Sequence, residues 1–151
     1  MTRLITREGL KKLQDELEYR KTVKRQEIAR AIKEAKEQGD LSENAEYAEA
    51  KHQQNENESR VVELEVVIKD SEVVEHDKSV IGIQIGSKVK VKFNGNEMEF
   101  QIVGSSEADP ANFKISNESP MGRAFMGRIK DDNVEVTTPA GKKRYKILDV
   151  K

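Results

Sequence analysis

Between Lys36 and Lys51 the chain reads EQGDLSENAEYAEA, a stretch with five carboxylates, no cation and one glycine. Asp40 and Glu43 stand three residues apart there, and that spacing has two readings. As an N-cap and its N3 partner they would form a capping box that does no more than start a helix. As acids on a protruding bend they would be hard oxygen donors, able to hold Mg²⁺ and orient a water in the active site of another molecule. On spacing alone the capping reading is the simpler one. Glu46 and Glu49 read as a solvated helix face. Elsewhere the sequence offers no Ser/His/acid grouping, no phosphate-cradling glycine loop and no metal-binding histidine cluster. His52 and His76 are isolated and read as surface residues. Catalysis by the chain alone is not expected.

The acids need an element that projects them, and charge and periodicity supply one. Residues 1–38 carry eleven Lys/Arg against seven Asp/Glu, whereas residues 39–75 carry three against eleven. Two helices of opposite charge joined at Gly39 invite an antiparallel hairpin with the acids at its bend. Leu10, Leu13 and Leu17, then Ile28, Ile32 and Ala35, recur at three- and four-residue spacings, with a slip between Leu17 and Ile28. Thr6 is a suitable N-cap with Glu8 near the helix start, and Gly39 a suitable C′ stop. A second helix is expected from Leu41 or Ser42, with an inward seam of Tyr47, Ala50, Gln54, Asn57, Val61, Leu64 and Ile68. If the bend centres at residues 40–41, Gln54 and Asn57 face Glu27 and Lys24, so the polar gaps of the two seams coincide. About 30 residues per arm at 1.5 Å each make a rod on the order of 45 Å long.

Past residue 75 the pattern changes to alternation. Val89, Val91 and Phe93 precede Asn94-Gly95, and Met98, Phe100 and Ile102 follow, a strong two-residue hairpin signal. Val91 should then face Met98, and Val89 should face Phe100. Phe113 and Ile115 suggest another strand. Ser119-Pro120 reads as an N-cap with Pro at N1, opening a short helix that Gly127 ends. Val134/Val136 and Tyr145/Ile147, about Pro139-Ala140-Gly141, form a further hairpin. The expected fold class is therefore α+β: a coiled-coil hairpin with an acidic tip over residues 1–75, followed by a small β-rich domain with one short helix over residues 76–151.

Composition bounds the rest. With 151 residues, 35% hydrophobic content, 36% charged content and no Trp, the chain does not suit one large globule. Zero cysteines exclude disulfides and thiolate metal sites. No apolar run approaches the ~18 residues of a membrane span, and no secretory leader is visible. A cytoplasmic protein with no membrane partner is expected. The net charge of −1 argues against strong non-specific nucleic-acid binding, so any nucleic-acid role should pass through a partner.

GDLSENAEYAEAK at the bend, preceded by TREGLKKLQDEL and followed by ISNESPMGRAFMGR and VEVTTPAGKKRYKIL, closely resembles the Gre family of bacterial transcript cleavage factors, in order and over essentially the full chain. The resemblance implies that the C-terminal domain is FKBP-like and that the hairpin enters the secondary channel of RNA polymerase. There the tip acids act at the polymerase Mg²⁺ site on backtracked RNA. Asp40 and Glu43 match the two functional acids of the family; the free protein needs no cofactor, and Mg²⁺ would be shared with the polymerase. Ser42, Asn44 and Tyr47 are candidates to position the tip or touch the RNA end, Tyr47 equally as a seam residue. Lys36 and Lys51 align with basic positions that contact the RNA 3′ segment, and Arg30 and Lys33 extend that patch. Glu34 and Glu37 interrupt it, and a solvated charged face gives the same spacing. So thin a patch is nearer the GreA than the GreB branch. Glu118, Ser119, Pro120 and Met121 match the loop that docks on the β′ subunit at the channel rim.

The expected role is thus that of a monomeric factor that activates RNA hydrolysis by RNA polymerase rather than catalysing it alone. Its rivals are a regulatory paralogue that occupies the same channel, which the intact Asp40 and Glu43 disfavour, and a coiled-coil adaptor with no catalytic role. An FKBP-like fold also raises prolyl isomerase activity, which the scarcity of aromatic residues argues against.

Overall fold

The computed structural model describes residues 2–40 and 44–151. They form two compact units, Lys11–Asp70 on one hand and Ser71–Lys151 together with the residues up to Leu10 on the other. The architecture is α+β. Helix α1 (Arg7–Tyr19) runs through a π-helical turn (Arg20–Lys24) into α2 (Arg25–Glu37), and α3 (Ala45–Lys69) returns against it. Ile28 and Ala35 of α2 meet a buried seam of α3 that comprises Ala50, Asn57, Val61, Leu64 and Val67. The opposite charges also pair across the arms, Lys21 with Glu65 and Arg25 with Glu58, both at 2.7 Å. A large aliphatic side chain such as Leu64, at 1% exposure, contributes about 1.5–3 kcal/mol. An exposed ion pair contributes about 0–1 kcal/mol. The apolar seam therefore holds the hairpin together, and the charges select its alignment.

The π-helical turn accounts for the slip in the pattern. Seven-residue steps from Leu10 and Leu13 lead to positions 27, 31 and 34, yet the apolar residues stand one place later, at Ile28, Ile32 and Ala35. A π-turn accommodates one extra residue without ending the helix, so both halves keep their seams toward α3. At this level Asn57 faces Arg20 rather than Lys24, one turn from the expected partner: its Nδ2 donates to the Arg20 carbonyl at 3.1 Å.

In the other unit five strands are ordered β5-β4-β3-β7-β6, with β3 (Lys88–Phe93), β4 (Asn96–Val103), β5 (Lys114–Ser116), β6 (Asn133–Thr138) and β7 (Gly141–Val150). Within this sheet β4 and β5 pair in parallel and the other neighbours antiparallel. Asn94 and Gly95 turn the first hairpin at φ 49° and 79°, and Val91 faces Met98 and Val89 faces Phe100 as alternation requires. The second hairpin closes over Pro139-Ala140, with Thr138 paired to Gly141. Helix α4 (Pro120–Phe125) sends Phe125 into the core, edge-on to Phe100 at 5.1 Å and to Tyr145 at 5.6 Å. Phe113 is not part of a strand. It closes a 3₁₀ turn at φ 56°, is 56% exposed, and leaves Ile115 alone to represent that segment in β5.

A parallel pair absent from the sequence reading joins β1 (Arg3–Ile5) to β2 (Ser71–Val73). Thr6 then caps α1, its hydroxyl accepting from the Gly9 N–H at 3.0 Å. The acid that completes the cap is Glu107, 101 residues away: its carboxylate accepts the Thr6 N–H at 2.7 Å, the Thr6 hydroxyl, and the Gly104 N–H at 3.2 Å. A Cβ on Gly104 would stand 1.8 Å from the Leu4 carbonyl oxygen, so only glycine allows this approach.

Candidate functional site

The bend between α2 and α3 is assembled from a stop, a short connection and a cap. Gln38 closes α2, its N–H donating to the Ala35 carbonyl at 3.2 Å, and Gly39 follows at φ +117°, a conformation that costs glycine little. Asp40 comes next and is exposed. Glu43, with Leu41 and Ser42, lies outside the described residues. Helix α3 does not start with a capping box on Asp40. Its N-cap is Asn44, in extended conformation, whose Oδ1 accepts from the Tyr47 N–H at 3.1 Å. The Nδ2 of the same side chain donates to the Ala35 carbonyl at 2.8 Å. One amide thus satisfies an orphan donor at the start of α3 and supplements an orphan acceptor at the end of α2, fastening the two helix ends together. Asp, Ser and Asn are all good caps, and three of them fall within five residues here. Local sequence therefore cannot choose among them; in the structure Asn44 is the cap, and it also reaches the Ala35 carbonyl.

The candidate RNA-contacting cations divide between the arms. Arg30, Lys33 and Lys36 are exposed on α2 at successive three-residue steps, neighbouring positions on a helix surface. Lys51, near the start of α3, is half-buried and donates to Gln54 Oε1 at 2.9 Å. Glu49 on the same helix accepts from Gln53 at 3.1 Å. Further along the hairpin Glu16 bridges the arms, accepting from Arg60 Nε at 2.9 Å and Arg20 Nε at 2.8 Å. The Arg60 bond and then the Arg20 bond hold the Glu16 carboxyl below its ordinary value against the opposing effect of partial burial. The bonds to Glu16 and Glu63 likewise push the Arg60 guanidinium up.

In the β unit, Glu118, Ser119, Pro120 and Met121 form one rigid corner. Ser119 caps α4, accepting from the Gly122 N–H at 3.0 Å, and its hydroxyl donates to the Ser116 carbonyl at 2.7 Å. The Glu118 N–H donates to Ser116 Oγ at 3.1 Å. A Cβ on Gly122 would lie 1.9 Å from the Ser116 carbonyl oxygen, which explains the glycine. Glu118 and Pro120 are exposed, and Ser119 and Met121 half-buried. Ser119, Pro120 and Met121 form one side of an apolar groove of about 310 Å³ whose other walls include Ile115, Val136 and Tyr145. The groove is lined by strand residues, prolines and the single aromatic ring of Tyr145.

The described residues thus comprise a helical hairpin with an exposed acid at its fastened bend, and a β unit with a hydrogen-bonded corner beside an apolar groove. Residues 3–73 match the family model described as "Transcription elongation factor, N-terminal", and residues 76–151 match that described as "Transcription elongation factor, GreA/GreB, C-term". The transcription elongation factor GreA of Clostridium beijerinckii is 52% identical over 97% of this chain and 94% of its own. That of Thermoanaerobacter pseudethanolicus is 50% identical over 98% and 96%. A crystal structure of GreA factor homolog 1 of Thermus thermophilus aligns over 100% of this chain and 99% of its own at 26% identity, with a TM-score of 0.46. The chain belongs to the GreA/GreB family of transcription elongation factors.

Proposed function

We propose that this elongation factor inserts its hairpin into the secondary channel of RNA polymerase and stimulates hydrolysis of the 3′ end of backtracked RNA, with Asp40 and Glu43 as the acting acids. The observation that carries the reading is the bend itself: Gly39 follows the end of α2, Asn44 caps α3, and between them Asp40 stands exposed. Carboxylates are the donors Mg²⁺ prefers. Among the described residues no three His, Asp or Glu side chains converge to hold a metal, so most ligands for a shared ion would come from the polymerase and the RNA. An ion so placed supplies charge at the scissile phosphate and a more acidic water. Asp40 would share in holding it, and Glu43 would orient or deprotonate the water. Arg30, Lys33, Lys36 and Lys51 would steer the RNA 3′ segment. The corner Glu118–Met121, with the groove beside it, would grip the β′ rim of the channel, which fits a monomer acting on a much larger enzyme.

The test is RNA cleavage in stalled elongation complexes with and without the protein. Asp40→Ala and Glu43→Ala should each nearly abolish stimulated cleavage while leaving polymerase binding intact, and extra Mg²⁺ should partly restore the Asp40 variant. A parent protein that binds but stimulates nothing would instead identify a regulatory channel binder. Variants that cleave at the parental rate would remove the acids from the mechanism.

A further inference from the structure

Asn57 is the only buried polar residue among the described residues of the helical unit, at 2% exposure, in a seam otherwise made of Ala, Val, Leu and Ile. It is bonded twice to a single residue of the other arm. Its Nδ2 donates to the Arg20 carbonyl at 3.1 Å, and its Oδ1 accepts from Arg20 Nη1 at 3.2 Å. Arg20 opens the π-helical turn Arg20–Lys24, the place where the apolar pattern of the first arm shifts by one residue. A π-turn interrupts the regular backbone ladder, and here a side chain from the other arm bonds to the carbonyl of the residue that opens it. If the turn relaxed to α-helix with the same number of residues, everything beyond it would rotate by about 100°, one residue's worth of helix. Ile28, Ile32 and Ala35 would then leave the seam, and the end of α2 that leads into Asp40 would turn with them.

We propose that Asn57 is a positioning residue: by holding the π-turn at Arg20 it fixes the rotational setting of α2 against α3, and through α2 the direction in which the bend presents Asp40. A single polar residue in an apolar helical seam sets alignment at a cost in stability, which is the behaviour this arrangement implies. Glu16 extends the lock, since it joins Arg20 to Arg60 one turn beyond Asn57 on α3. The consequence for cleavage rests on the function proposed above; the structural consequence does not.

The chain has no cysteine, so a pair can be introduced for spin labels. Gln26 and Asn55, both exposed and both beyond the π-turn toward the bend, are suitable positions. With Gln26→Cys and Asn55→Cys in the parent, pulsed EPR should give one narrow inter-label distance. Adding Asn57→Leu should broaden it or add a second distance. Without the labels, Asn57→Leu should lower the saturating cleavage rate by about 100-fold or more, since a misplacement of even about 1 Å can cost that much. The factor concentration for half-maximal cleavage should not change. Removing Val23 shortens the first arm by one residue, which brings the two halves of its seam into phase as plain α-helix. Deletion of Val23 combined with Asn57→Leu should therefore recover both the single distance and the rate, which a loss of general stability would not allow. A single parental distance in Asn57→Leu overturns the proposal, as does failure of the Val23 deletion to rescue either readout. A broadened distance with a full cleavage rate refutes the link to Asp40. If the parent stimulates no cleavage at all, the proposed function fails while the distances still decide whether Asn57 sets the helix rotation.

Discussion

Replacing Asn44 by alanine should unfasten the bend without touching either acid. Two bonds disappear: the cap to the Tyr47 N–H at 3.1 Å and the bond to the Ala35 carbonyl at 2.8 Å. Loss of an N-cap costs about 0.5–2 kcal/mol, and loss of a partly exposed side-chain hydrogen bond about 0.5–1.5 kcal/mol. Ala35 Cα–Cβ burial and the Gln38 bond to the same carbonyl remain, so the second figure belongs at its lower end. The sum, about 1–3 kcal/mol, should appear as faster local opening, lowering amide protection at Tyr47 and Ala48 by roughly 5–150-fold. Val61 and Leu64, far along α3, should keep their protection. Asn44→Asp separates the two bonds, because it retains the acceptor toward Tyr47 and loses the donor toward Ala35; it should show only the smaller loss. Native-state hydrogen exchange by NMR reads all of these residues together. Unchanged protection at Tyr47 in the alanine variant would mean that the cap does not hold the bend. Equal losses in both variants would mean that the Ala35 bond, and not the cap, carries the effect.

Glu16→Gln tests the polar layer through pH. The native Glu16 carboxyl is held below its ordinary value, so its contribution is present above the usual carboxylate range and fades as pH falls through the lowered native value. Thermal melts of the parent should therefore lose stability on acidification more steeply than those of Glu16→Gln. In the β unit, Glu118→Lys or Pro120→Ala should raise the factor concentration for half-maximal cleavage several-fold and leave the saturating rate unchanged. A lower saturating rate at unaltered binding would place that corner in the chemistry instead of the docking.

Much of this protein is written in local pattern. Opposite charge on two periodic stretches, a glycine between them and an acid-rich bend make a hairpin the natural arrangement, because each arm has one apolar stripe and nothing else to bury it against. The Asn94-Gly95 hairpin and its register follow from strict alternation, since a slip of one residue would turn Val89, Val91 and Phe100 outward. The motifs at the bend and at Ser119-Pro120 identified the family and named the residues to test. The tertiary structure decided what depends on reach between distant segments. That Asn44 both caps α3 and meets the Ala35 carbonyl is decided by how the two helix ends pack, not by local capping preference. The slip between Leu17 and Ile28 was visible in the sequence, but not that a π-turn absorbs it, nor that Asn57 bonds to that turn from the other arm. Glu107 closes the cap of Thr6 from 101 residues away, in a place no spacing rule describes. Periodicity and capping preferences act over a few residues, so they specify elements; a hydrogen-bond partner across the fold is fixed only once the elements have packed.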